Sequence, residues 1–187
     1  MVRVFFFLSR WPLSLLHALG LCMGWLAYAL SPSYRRRLNE HARQAGLGLG
    51  QRLRAVGQAG RMVAELPRLW GRPREQALGD RVQWRQVEQL DQAVLEGKGI
   101  IILTPHLGCF EIVAQGYAER HGALKPITAL YRPSRQAWLA DVMVHARNRP
   151  GMVASPATLA GVRQMLRALK QGHTVGILPD QVPPEGM

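Results

Sequence analysis

From Ile100 to Leu103 the chain reads Ile-Ile-Ile-Leu, an unbroken apolar run introduced by Gly97-Lys98-Gly99 and closed by Thr104-Pro105. A short β-branched run without polar alternation marks a strand buried on both faces, as in a parallel sheet. Beyond residue 81 such runs alternate with segments of helical spacing. The pattern predicts strands at Val82–Trp84, Ile100–Thr104, Pro126–Leu130, Met152–Ala154 and Thr174–Leu178. Between them it predicts helices over Val87–Glu96, from Cys109 to His121, over Arg135–Arg147 and over Thr158–Lys170. This alternation predicts an α/β fold, a largely parallel sheet flanked by helices.

The amino-terminal pattern is different. Trp11 to Pro32 carries no Asp, Glu, Lys or Arg, long enough to cross a hydrocarbon core of about 30 Å. Arg3 and Arg10 precede it and Arg35-Arg36-Arg37 follow it, with Trp11, Trp25, Tyr28 and Tyr34 placed as interfacial anchors. The stronger positive flank predicts the main domain on the cytoplasmic side. Ala27-Tyr28-Ala29 imitates a signal-cleavage site, but the triple arginine behind it favours a retained anchor. Pro12 and Ser14 also allow a shallow helix lying in the interface. Residues 34–72 predict helices around Tyr34–Arg43 and Gln51–Trp70, broken by Gly46-Leu47-Gly48-Leu49-Gly50. That glycine series follows no strand and lacks a complete GxGxxG, so it is read as a helix break rather than a dinucleotide loop. The predicted organisation is an anchor over 1–33, transmembrane or interfacial, a helical connecting region over 34–80, and an α/β domain over 81–187. Gln181 to Met187 is loop chemistry directly after a strand, which predicts a domain continuing beyond this chain.

Charge narrows the partners. A formal +12 and pI near 11.1 in 187 residues imply an anionic partner: nucleic acid, an acidic protein or membrane phosphate. Aromatic residues make up only 7%, and no zinc-finger, RNP or helix-turn-helix pattern is present, so nothing beyond electrostatics supports nucleic acid. Cys22 and Cys109 are the only cysteines, which gives no disulfide framework. The remaining histidines show no ligand spacing, and no metal is predicted.

Candidate chemistry sits where the buried Ile100–Thr104 strand ends. His106 follows the strand and Glu111 stands five positions on, with Pro105 and Gly108 shaping a turn between them. On one continuous helix residues five apart diverge by roughly 140°, so the two meet only if His106 lies in the turn and Glu111 in the first helical turn. There the carboxylate is favoured by the helix dipole and can fix the imidazole tautomer. The pair then lacks only a nucleophile, which a substrate hydroxyl supplies when it attacks an activated acyl group. The plainer reading is a structural histidine beside a strand. Tyr131-Arg132-Pro133 and Leu178-Pro179-Asp180-Gln181 also end strands, so three polar clusters are expected along one sheet edge.

These motifs, in this order, resemble the bacterial lipid A biosynthesis acyltransferases of the lauroyl and myristoyl type, within the H-x4-[D/E] acyltransferases. The resemblance covers essentially the whole chain, and family members extend well beyond residue 187. It implies an inner-membrane enzyme, its catalytic domain on the cytoplasmic face, that moves an acyl chain from acyl carrier protein to a hydroxyl of a lipid A precursor, with no cofactor. It casts His106 as general base and Glu111 as its orienting carboxylate. Backbone N–H groups around Gly108 would steady the thioester oxyanion. Arg132 and Arg147 would meet phosphate or developing charge, with Arg149 a neighbouring alternative to Arg147, and Asp180 and Gln181 would position substrate. The implied partners are acyl carrier protein, the lipid A precursor and an anionic membrane, not nucleic acid. Two other classes stay open on the residues alone: covalent chemistry at Cys109, and a basic membrane-binding protein without catalysis.

Overall fold

A computed structural model of the protein describes residues 1–134 and 136–181, with the backbone alone for Arg81. The helix start expected at Arg135 and the loop expected over 182–187 lie outside the described residues. The chain divides into two compact units, Arg3–Gly71 and a second beginning at Arg72.

The first unit is helical: α1 (Val2–Leu8), α2 (Leu13–Leu30), α3 (Pro32–Gln44) and α4 (Leu49–Trp70). Pro12 directly precedes α2, because proline suits a helix entry and not an interior. Ser31 begins α3, its hydroxyl accepting from the Tyr34 N–H at 3.4 Å, with Pro32 in the first turn. The Gly46–Gly50 series does break the helices: Gly46 has φ +70° and Gly48 precedes α4. α2 lies against α4 at glycines. A Cβ on Gly20 would come within 2.6 Å of the Gly60 carbonyl oxygen, and one on Gly24 within 2.6 Å of the Val56 carbonyl oxygen. The two backbones therefore approach as closely as small residues allow. A 2.7 Å hydrogen bond between His17 Nε2 and Glu65 Oε1 joins the same helices, and Arg68 donates to the Trp11 carbonyl at 2.6 Å. α2 is long and apolar enough to cross a membrane by length and composition.

The second unit is the α/β domain. After a 3-10 turn at Gly79–Arg81 come α5 (Glu88–Leu95), β1 (Ile100–Leu103), α6 (Glu111–His121), β2 (Ile127–Tyr131), α7 (Ala137–Arg147), β3 (Met152–Pro156), α8 (Leu159–Lys170) and β4 (Thr174–Ile177). All strand pairs are parallel and the order is β1-β4-β2-β3. One face is closed by Val94, Tyr117, Ala118, Ile127 and Met152, the other by Met165 and Ala168 of α8 against Val175. Tyr117 and Thr174, both fully buried, share a 2.6 Å hydroxyl hydrogen bond through the core.

Two predictions are corrected. β1 is an edge strand and not buried on both faces: Ile101 and Leu103 are 54% and 65% exposed. Val82–Trp84 is not a strand: it follows the 3-10 turn without a sheet neighbour. Trp84 packs at Gly116 of α6, and the Arg120 guanidinium lies 5.8 Å from its ring centroid. β-branched and aromatic content raised a strand reading there, and helix packing decided otherwise.

The candidate active site

The site is built by strand register. β1 and β4 are neighbours with Leu103 opposite Ile177, and the Thr104 N–H donates to the Ile177 carbonyl at 3.1 Å. His106 and Asp180 each stand three residues past that last matched pair, so the parallel register carries them to the same level. There the Asp180 carboxylate grips His106 twice. Oδ1 lies 2.7 Å from Nδ1 and Oδ2 accepts the backbone N–H at 2.8 Å.

These bonds hold the Asp180 carboxyl below the usual carboxylate range, the ring bond contributing most and the backbone bond next. An ionised carboxylate only accepts, so Nδ1 carries a proton, and in the neutral ring Nε2 holds the lone pair. The His106 ring also meets the Phe110 ring edge-on, centroids 4.7 Å apart.

The sequence reading expects Glu111 on the imidazole, and here the structure differs. Glu111 opens α6 and is ion-paired with Arg147 at the end of α7, both side chains nearly buried. The Arg147 guanidinium lies 5.5 Å from the Tyr131 ring centroid. The guanidinium neutralises a carboxylate that partial burial would otherwise penalise. The short spacing from His106 to Glu111 suggested contact. The deciding fact, that β4 inserts between β1 and β2, lies outside any local spacing.

A cavity of about 300 Å³ runs down from this edge, a size typical of small-molecule sites. His106, Glu111, Arg132, Arg147 and Gln181 all line it, with Thr104 and Tyr131. Its deeper wall is apolar: Ile102, Val113, Ala114, Ile127, Met143 and Met152, with Gly176. Arg132 is exposed at the rim. Gly108 adopts φ +57° in the turn, where a side chain is strained, and it is not part of the cavity wall. Cys109 is also outside the wall. Of the two neighbouring arginines, Arg147 faces the cavity. Arg149 instead is buried and donates to the carbonyls of Ala146, Arg72 and Pro73. Burial lowers its pKa to about 10, with Arg72 and Arg74 adding to the shift. Among the described residues no cluster of three His, Cys, Asp or Glu side chains could hold a metal ion.

The three polar clusters expected along one sheet edge are thus at the carboxyl ends of β1, β2 and β4, the edge where open parallel sheets place their ligands. What the sequence reading missed is the pairing of His106 with Asp180. The available signal was that each stands the same distance beyond its strand.

No curated protein matches the chain closely enough to be compared with it. A family model described as bacterial lipid A biosynthesis acyltransferase matches residues 53–185, most of the chain, from the first turns of α4 through the whole cavity-forming unit. A chain whose parallel sheet carries its polar motifs at one edge, and which this family's pattern covers over that length, belongs to the bacterial lipid A biosynthesis acyltransferases.

Proposed function

We propose that the chain moves a fatty acyl group from the thioester of acyl carrier protein to a hydroxyl of a lipid A precursor, with His106 as general base. The observation that carries this reading is the His106–Asp180 pair at the mouth of an apolar cavity. Asp180 fixes the ring so that Nε2 can take the proton of the acceptor hydroxyl. The resulting oxygen attacks the thioester carbonyl carbon. As the intermediate collapses the C–S bond breaks, and the imidazolium returns its proton to the departing thiolate. Asp180 stabilises the imidazolium between these steps.

The other candidates take distinct parts. The apolar wall from Ile102 to Met152 suits an acyl chain, which burial in such a cavity stabilises by about 0.8 kcal/mol per methylene. Arg132, exposed at the rim, faces phosphate of the glycolipid or of the carrier's prosthetic arm. Glu111 holds Arg147 against Tyr131 in the cavity wall. Gln181 positions the acceptor beside Asp180. Acyl carrier protein is acidic as a class of partner, which suits a chain of formal charge +12.

The test is acyl transfer in membranes containing the protein, with acyl carrier protein thioester and a lipid A precursor as substrates. His106→Ala is expected to abolish transfer and Cys109→Ala to leave it near the parent rate. Full transfer by the histidine variant, or its loss in the cysteine variant, rejects the proposed base.

A further inference from the structure

We infer that Phe110 is a positioning residue for the proposed base: its ring fixes the tilt of the His106 imidazole and so the direction of Nε2. This role rests on the catalytic reading of His106 and adds to it a residue outside the polar motifs.

Asp180 settles which nitrogen bears the proton, but it does not by itself settle where the other one points. It reaches the ring at Nδ1 only, through Oδ1, while Oδ2 accepts the backbone N–H. A hydrogen bond tolerates about 30° of bend before it weakens. A ring held at one edge can therefore tilt, and Nε2, on the far side, moves most. Proton transfer needs that nitrogen within hydrogen-bond reach of the acceptor hydroxyl. A second contact on the ring removes the freedom.

The turn after β1 supplies that contact. The Leu107 N–H donates to the Pro105 carbonyl at 2.8 Å, and Gly108 follows at φ +57°. This left-handed step redirects the chain, and the side chain four positions after His106 meets the imidazole. That residue is Phe110, which directly precedes α6 with φ −57° and ψ −28°. Its carbonyl accepts the Val113 N–H at 3.1 Å, which ties its backbone to the first helical turn. The two ring centroids are 4.7 Å apart and the planes are inclined by 63°. Edge-to-face packing has a preferred angle, set by the positive edge and negative face of an aromatic ring. An aliphatic side chain packs without one. Phe110 is half-buried and lines the cavity beside His106, whereas Leu107 of the same turn is 78% exposed. The imidazole is thus held by a carboxylate from beyond β4 and by an aromatic ring from its own turn.

The experiment uses the full chain in the membrane transfer assay. Phe110→Leu and Phe110→Met keep apolar volume, so folding is preserved, and Phe110→Tyr keeps a ring. Both aliphatic variants are expected to lower kcat about tenfold at unchanged KM, less than the roughly 10²-fold loss from misplacing a reacting group by about 1 Å, because Asp180 still holds Nδ1. Phe110→Tyr retains most of kcat. Nitrogen NMR of the neutral His106 ring should show the proton on Nδ1 in every Phe110 variant, since Asp180 sets it. Parent kcat in both aliphatic variants overturns the inference. So does a loss carried by KM, or a changed order of preference among thioesters of different chain length, either of which marks a wall residue for the acyl group. A proton moved to Nε2 in Phe110→Leu overturns it as well. Full transfer by His106→Ala sinks the catalytic reading and this role with it, whereas parent-like aliphatic variants beside an inactive His106→Ala overturn this role alone.

Discussion

Asp180→Asn separates the two carboxylates of the site. Asparagine keeps the shape of Asp180, but its amide can present N–H to the His106 ring and reverse the tautomer, placing the proton on Nε2. The base is then lost while the cavity is intact. In a buried triad this change costs about 10⁴ in turnover. The Asp180 side chain is 39% exposed, so water replaces part of what is lost. The expected fall is about 10²-fold in kcat, at the lower end of what a general base contributes, with little change in KM or thermal stability.

Glu111→Gln behaves in the opposite way. It removes the charge that pairs with the Arg147 guanidinium, whose side chain is 9% exposed. Breaking a buried pair costs about 3–5 kcal/mol, and the Tyr131 ring retains a share, so about 3 kcal/mol is expected. For a domain of this size that is a fall in Tm of about 10 °C. The assay measures transfer from acyl carrier protein thioester and thermal unfolding of both variants in the same detergent. If Asp180→Asn keeps full turnover while Glu111→Gln loses it at unchanged Tm, Glu111 is the partner of the histidine and the register argument fails.

Three further outcomes follow from the same geometry. Gly108→Val is expected to cost about 1–2 kcal/mol, the price of a left-handed backbone with a side chain, while Gly108→Asn is nearly neutral. No neighbour lies within 4 Å of the added Cβ, so a calorimetric loss equal for both variants would contradict backbone strain as the cause. Tyr117→Phe removes the partner of the fully buried Thr174 hydroxyl and should destabilise by about 1–3 kcal/mol, seen as a lower denaturation midpoint at unaltered slope. Burial lowers the His121 pKa, opposed by Asp91 beside it. The unfolded chain therefore takes up the proton first, and stability present above the ordinary histidine value of about 6.5 declines as pH falls below it. In a pH series of Tm values, His121→Gln should flatten that decline, and an unchanged slope would rule out His121 as its source.

Much of this architecture is legible in one dimension. The apolar runs at Ile100, Pro126, Met152 and Thr174 mark β1 to β4 to within two residues, although β1 is an edge strand with Ile101 and Leu103 exposed, so its unbroken run overstated its burial. The helix between each pair follows from the need to return over the sheet. Gly46–Gly50 reads correctly as a break, since glycine both ends α3 and begins α4. The residues gathered at the sheet edge, His106, Arg132 and Asp180, are also visible as polar motifs behind strands. Trp84 is not: its composition is that of a strand, and only packing on α6 shows otherwise. Nor does sequence decide who holds the histidine. His106 and Glu111 are neighbours along the chain, whereas Asp180 lies 74 positions away. Register between β1 and β4 brings it to the ring, and the end of α7 draws Glu111 to Arg147. Local spacing fixes which groups can meet within a turn. Strand order, set by how the whole sheet buries its faces, decides which of them do.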